Sequence, residues 1–196
     1  MREVELKAVL DSWRDRGTRL ERAGATRIFF GRIEDRRYDT EARSLAARDI
    51  VLRLRIYRGS DSARAELEFK GPTGYEDGYK VRDEIGSRVS DPEALEQILS
   101  GLGYLVTRAI DRDIEQWEIG GASVRFERYP RMDDLVEVEG EPDAIERAIA
   151  ALGIPRAAYT AERLTDFAMR FEARTGQRAA LADAELAGSA PAARER

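Results

Sequence analysis

The chain of 196 residues contains no cysteine and no histidine. Without cysteine there is no disulfide framework, no zinc–thiolate site and no thiol nucleophile. Without histidine there is no imidazole acid–base chemistry, no Ser-His-Asp relay and no histidine metal ligand. Any metal must be held by oxygen donors, which favours Mg²⁺ or Mn²⁺. Long apolar runs are also missing: none approaches the roughly 18 residues of a membrane span, and no signal-peptide pattern opens the chain. The expectation is a cytoplasmic protein with no membrane partner. A net charge of −5 argues against a general nucleic-acid binder.

What is present is charge in alternation. The chain is 36% charged and 42% hydrophobic, a balance that supports a folded body rather than disorder, and its length suffices for one sizeable core. It opens with Glu3-Val4-Glu5-Leu6-Lys7. On a β-strand the side-chain period is two, so Glu3, Glu5 and Lys7 share one face and Val4 and Leu6 the other. The same alternation recurs in later segments: Arg53/Arg55, Glu66/Glu68/Lys70, Arg82/Glu84, Arg125/Glu127 and Glu137/Glu139, with Arg112 as a further basic position. Strands are expected over 2–10, from Ile28, and over 50–57, 63–70, 79–85, 104–119 (one or two), 123–128 and 135–139. Gly59-Ser60-Asp61-Ser62 and Gly120-Gly121 read as turns, 41–49 as a loop, and 74–78 as a mobile loop.

Helices are expected over 11–23, from Pro92 to Gly103, from Pro142 to Gly153, and over 160–174 with Leu164, Phe167, Ala168 and Phe171 on one face. Trp13 and Trp117 read as packing residues. Pro92…Leu95…Ile98-Leu99…Leu102-Gly103 matches Pro142…Ile145…Ala148-Ile149…Leu152-Gly153 fifty residues later, each after an ionic strand. Residues 1–175 are expected to form one domain, and 176–196 an alanine-rich, frayed helical tail. Ionic faces exposed on an open sandwich would be physically sound. Their segregation into acidic and basic strands, and the dominance of arginine with its planar fork, favour an α+β fold instead. In it a closed antiparallel eight-stranded β-barrel has a polar lumen and helices packed outside.

The order of these segments resembles the CYTH family, the triphosphate tunnel metalloenzymes, which include class IV adenylate cyclases, thiamine triphosphatases and inorganic triphosphatases. Glu3-x-Glu5-x-Lys7 resembles the family's opening signature. Arg37-Tyr38-Asp39-Thr40 resembles its D-x-Y-x-D-T segment, Arg53-Leu54-Arg55 its R-x-R strand, and Lys70-Gly71-Pro72 its K-G-P. Arg82-Asp83-Glu84 resembles its R-x-E, and Glu137-Val138-Glu139 its closing E-x-E. Glu127 stands where the family usually has aspartate. The likeness covers about residues 2–174 and is greatest to the class IV adenylate cyclase branch. The chain departs from the pattern at Ile114, where the second basic residue of a K-x-R pair is lost, and at Met132-Asp133-Asp134, which replaces a Leu-Gly. Arg163 is the candidate for a C-terminal basic residue reaching the tunnel.

The resemblance implies metal-dependent phosphoryl chemistry on a triphosphate such as ATP, thiamine triphosphate or tripolyphosphate, by hydrolysis or by cyclisation of ATP. It implies that Glu3, Glu5, Glu127, Glu137 and Glu139 bind Mg²⁺ or Mn²⁺. Lys7, Arg53, Arg55, Lys70 and Arg82 would carry catalysis and, with Arg112 and Arg125, clamp the phosphates. Glu66, Glu68 and Glu84 are expected to orient arginines. A homodimer is compatible with the sequence, though no residue argues for it. The alternative is a non-catalytic nucleotide or polyphosphate sensor.

Overall fold

The computed structural model describes residues 2–59 and 63–186. Most of the turn expected at 59–62 therefore lies outside the described residues, as do 187–196. Nine strands and five helices occur among the described residues: β1 (Arg2–Val9), α1 (Trp13–Arg22), β2 (Thr26–Thr40), β3 (Val51–Gly59), β4 (Ala63–Lys70), β5 (Gly74–Glu76), β6 (Tyr79–Val89), α2 (Pro92–Gly101), β7 (Tyr104–Ile119), β8 (Ala122–Arg128), β9 (Leu135–Glu139), α3 (Pro142–Leu152), α4 (Leu164–Thr175) and α5 (Asp183–Leu186). The sheet runs β1-β9-β8-β7-β2-β3-β4-β6 and closes through a β1–β6 pairing. Every pairing is antiparallel, and β5 lies outside the ring, paired to β6 alone. This is the closed eight-stranded barrel expected from the alternation.

Alternation explains how the strands are built. In β1 residues 3–8 are all buried, because both faces are covered: the ionic one by the lumen, the apolar one by helices. Val4, Leu6, Val124, Phe126, Val136 and Val138 join Leu20 of α1 and Ile145, Ile149 and Leu152 of α3 in the largest core cluster, with Trp117 inside it and Trp13 against it. α1 starts where the Ser12 side chain accepts the Asp15 N–H (3.2 Å), a helix-capping contact. The two glycine stops of the internal repeat do the same work. Gly103 and Gly153 take φ of +84° and +68°, a left-handed conformation that favours glycine after a helix.

Several boundaries differ from expectation. β2 and β7 are long single strands of 15 and 16 residues, stabilised along their whole length by pairing with each other. Residues 74–78 form a hairpin rather than a mobile loop. Asp77 and Gly78 both have positive φ and make the two-residue connection from β5 to β6, the geometry Asp-Gly favours between strands. α4 starts at Leu164 rather than 160, because Thr160 exchanges two backbone hydrogen bonds with Lys7 (2.9 and 2.8 Å). Of the apolar stripe expected on α2, Leu99 is buried and Leu95 packs beside it, whereas Ile98 and Leu102 are 57% and 68% exposed. α2 thus meets the barrel along a narrow line.

Among the described residues after Gly176, the helical ones are those of α5. Residues 179–182 are buried; Ala180 exchanges backbone bonds with Arg131, and Asp111 donates its N–H to the Leu181 carbonyl (2.7 Å). Small apolar side chains let this backbone lie close against the barrel end, where Leu181 joins Phe167 and Phe171 of α4, Ile110, Tyr129 and Leu135.

Candidate functional site

The barrel encloses a cavity of about 790 Å³. In ring order β1 and β9 lie across from β2 and β3, so the carboxylates of Glu3, Glu5, Glu137 and Glu139 face the guanidiniums of Arg53 and Arg55 across the lumen. The lining carries twelve lysines and arginines and ten carboxylates. That near balance suits a polyanion that arrives with its own countercation. All twelve site residues expected from the sequence line this one cavity.

One end of the lumen is packed with apolar side chains on the β2, β3 and β7 side. Ile33, Tyr57 and Ile114 lie two residues beyond Asp35, Arg55 and Arg112 on the same alternating faces, and they cluster together with Phe29 packed on them. Neither Ile33 nor Ile114 lines the cavity. The opposite end is bordered by residues 42–52, between β2 and β3, and by Arg163, Leu164 and Thr165 at the start of α4. The cavity is therefore a cup with an apolar floor on that side.

On the basic wall, Asp35 is a hub. Arg55 donates to it from Nε (2.7 Å) and Nη2 (3.0 Å), Arg53 from Nη1 (3.2 Å) and Arg112 from Nη1 (3.0 Å). Burial alone would raise the Asp35 pKa, but Arg53, Arg55 and Arg112 hold it well below the usual carboxylate range. Glu68 accepts from Arg53 Nε (2.6 Å). Arg112 also donates to Glu127 Oε1 (2.9 Å), whose other oxygen accepts from the Tyr129 hydroxyl (2.6 Å). Arg125 donates to Glu137 (2.9 Å). Arg82 is held by the backbone carbonyls of Gly71 (2.7 Å) and Asp49 (2.6 Å).

On the acidic wall, Lys7 bridges Glu5 (2.7 Å) and Glu137 (2.6 Å). Burial disfavours its charge, but Glu137 and Glu5 more than compensate and raise its pKa. Lys70 donates to both oxygens of Glu3 (2.9 and 3.0 Å) and pairs with Glu84. Burial and the nearby Arg53 bring its pKa down to about 8 against the pull of Glu3. Lys80 pairs with Glu5. Glu139 stands apart: burial and the neighbouring Glu3 and Glu137 carboxylates push its pKa up to about 7, while Arg125 opposes.

The oxygen-only donor set fits a hard divalent cation, and the raised pKa of Glu139 beside Glu3 and Glu137 marks where a positive charge would be welcome. The wall is not preassembled, however. Among the described residues no group of three or more acidic side chains converges closely enough to hold a metal ion, because lysines hold Glu3, Glu5 and Glu137 apart.

Among the charged lining residues, Asp35, Arg37, Asp39, Arg43, Asp49, Lys80 and Arg108 escaped the sequence reading as site members. Asp35 and Arg37 continue the alternation from Ile33 along β2, and Lys80 precedes Arg82 by two, so the period-two rule applied to the full strands finds them. Asp39 serves the loop. Its carboxylate accepts the N–H groups of Thr40, Leu45 and Ala46 (2.8, 2.9 and 2.9 Å). Of the expected orienting acids, Glu68 and Glu84 act in the lumen. Glu66 instead lies 3.6 Å from Arg64 and does not line the cavity. Arg163 reaches the rim and pairs with Asp49 (3.0 Å).

A closed barrel whose lumen sets carboxylates against guanidiniums defines a polyanion-binding tunnel fold. The CYTH domain family model matches residues 1–152, and the chain belongs to that family. Three solved structures share the fold. The PH1819 protein from Pyrococcus horikoshii OT3 is 20% identical with a TM-score of 0.70, covering 86% of this chain and 98% of that one. A Vibrio parahaemolyticus protein assigned provisionally as an adenylate cyclase is 17% identical with a TM-score of 0.71, covering 84% and 96%. HpAC1 from Hippeastrum, for which a dominant triphosphatase activity is described, is 16% identical with a TM-score of 0.60, covering 90% and 96%. No curated protein matches the chain.

Proposed function

We propose that this protein is a metal-dependent phosphohydrolase that cleaves an inorganic triphosphate inside the cup. The observation that carries the proposal is the opposition of the β1/β9 carboxylates to the β2/β3 guanidiniums across one cavity. Glu3, Glu5, Glu137 and Glu139 would hold Mg²⁺ or Mn²⁺. A bound divalent cation would neutralise phosphate charge and make a coordinated water more acidic near neutral pH.

The chain's own part is placement. Lys7, Arg53, Arg55, Lys70, Arg82, Arg112 and Arg125 bind phosphate oxygens, exchanging carboxylate partners for phosphate, which suits the planar fork of arginine equally well. Asp35 keeps three of these forks aimed while the cup waits. Glu127 belongs to the metal wall by family resemblance. Its oxygens are engaged by Arg112 and Tyr129, which supports an orienting role. Phosphoryl transfer needs little beyond in-line positioning and neutralisation of developing charge, and a lumen without imidazole supplies both.

Ala42, Ala46, Ala47, Leu164 and Thr165 border the opening, while Tyr57 and Tyr129 are among the lining residues and Tyr75 bonds to Arg163 at the rim; hydrolysis and cyclisation are told apart by product. The test is a panel of tripolyphosphate, thiamine triphosphate and ATP with Mg²⁺ or Mn²⁺, assaying phosphate and cyclic AMP. Phosphate from tripolyphosphate is expected. Cyclic AMP from ATP would make the protein a cyclase, and binding without turnover of any member would make it a sensor.

A further inference from the structure

Strand register sets three arginines side by side. Arg37 of β2 stands opposite Arg53 of β3 on one side and opposite Arg108 of β7 on the other, and all three line the cavity. Like charges directly opposite on neighbouring strands repel, so such a row is costly unless an anion compensates it. Asp35 and Glu68 compensate Arg53. Arg37 has no such partner. Its Nε is buried without a hydrogen bond, and no ion pair holds its side chain among the described residues. Burial, Arg108 and Arg53 together push its pKa down, to about 9, with only Asp35 resisting. This is a partly buried cation, with a fully buried and unpartnered Nε, in want of a negative charge that the lumen does not supply.

Its position says which kind of charge. Along β2 the order from the floor outward is Ile33, Asp35, Arg37, and then the residues bordering the opening. Arg37 lies two residues, about 7 Å of strand, further from the floor than the level of Asp35 and Arg55. Because Ile33, Tyr57 and Ile114 pack together at the inner end of β2, β3 and β7, an anionic chain held at Arg55 and Arg112 on this side lengthens outward, past Arg37. The opening there offers guanidiniums and small side chains.

The geometry points to an anion subsite formed by Arg37 and Arg108 beside Arg53, which takes a phosphoryl group beyond those held deeper in the cup and so selects linear inorganic polyphosphates longer than triphosphate. The subsite rests on the triphosphate function proposed above and adds chain length to it.

The experiment is titration calorimetry with tripolyphosphate and tetrapolyphosphate in EDTA, so that binding is read without turnover, on the wild type and on Arg37→Gln. One lost charge-assisted contact corresponds to about tenfold in affinity. The wild type is expected to bind tetrapolyphosphate about tenfold more tightly than tripolyphosphate, a preference that Arg37→Gln abolishes by weakening the longer chain alone. In the ligand-free protein the substitution should leave the melting temperature unchanged or raise it, since it removes an uncompensated, partly buried charge. Equal affinities of the wild type for both chains, or equal losses for both in the variant, would overturn the subsite and leave the triphosphate function standing. A lower melting temperature in Arg37→Gln would do so too, by making Arg37 a structural residue. No binding of either chain by the wild type, in EDTA or with Mg²⁺ supplied, would overturn both proposals together.

Discussion

Asp35 and Arg55 stand opposite each other on β2 and β3 and meet through two hydrogen bonds, Nε to Oδ1 at 2.7 Å and Nη2 to Oδ2 at 3.0 Å. Asp35 is 1% exposed and also receives Arg53 and Arg112. One carboxylate therefore answers three buried guanidiniums. Removing it leaves charges that the interior cannot solvate, so Asp35→Ala should cost about 3–5 kcal/mol of unfolding free energy. Urea unfolding measures this. Added tripolyphosphate should restore more stability to the variant than it adds to the wild type, because an anion replaces the missing partner. A variant as stable as the wild type would mean that the guanidiniums do not depend on Asp35.

Acid should act through the same carboxylates. Asp35 and Glu137 have pKa values held well below normal, and Glu68 is lowered too. In each case burial works the other way, and the neighbouring arginines, or Lys7 and Arg125 for Glu137, overcome it. A depressed folded-state pKa adds stability that is present above the unfolded value of about 4 and is lost as pH falls through the folded value. Stability should therefore decline below about pH 4. In Asp35→Asn the decline should be shallower, with lower stability at neutral pH. Chemical denaturation at a series of pH values reads both slopes.

Much of this architecture was legible because the lumen and the helical core impose the same period-two pattern on nearly every strand. Glu3, Glu5 and Lys7 announce their shared face in five residues. Asp35 was harder. It sits in the run Glu34-Asp35-Arg36-Arg37, charged at every position, where outward-facing Glu34 pairs with Arg58 and hides the alternation. Ile114 looked like a lost basic residue, yet it is fully buried as part of the floor. Nor could composition reveal the packing of residues 179–182, whose place is set by backbone bonds to Arg131 and Asp111 rather than by side-chain pattern.

Glu139 should link metal binding to stability. Its pKa of about 7 lies above the ordinary 4.5, through burial first and then Glu3 and Glu137 against Arg125. Between those two values the folded protein holds a proton that the unfolded chain releases, so this group's contribution falls as pH rises from about 4.5 to about 7. Mg²⁺ or Mn²⁺ should therefore raise the melting temperature more at pH 8 than at pH 5.5. Glu139→Gln should abolish most of that difference and metal-dependent turnover together, while the metal-free variant is at least as stable as the wild type at pH 8. Thermal scans with and without metal check the first outcome and phosphate release the second. An unchanged metal response in the variant would remove Glu139 from the cation site.

The floor of the cup yields the sharpest contrast with a motif-based expectation. Placing a basic residue at Ile114 would complete the family's K-x-R pair on paper. In the structure Ile114 is 0% exposed and packs with Ile33 and Tyr57. Ile114→Arg would bury a guanidinium in that apolar cluster without a planned partner, at a cost of about 3–5 kcal/mol. Ile114→Val should cost only about 0.5–1.5 kcal/mol and leave turnover near that of the wild type. Urea midpoints and tripolyphosphate hydrolysis on the two variants separate the alternatives. If Ile114→Arg folds as stably as the wild type and turns over faster, the position belongs to the phosphate clamp. If it is strongly destabilised while Ile114→Val is not, the inner end is a packed floor on that side, and an anionic chain held there enters and leaves through the opening beside Arg37 and Arg163.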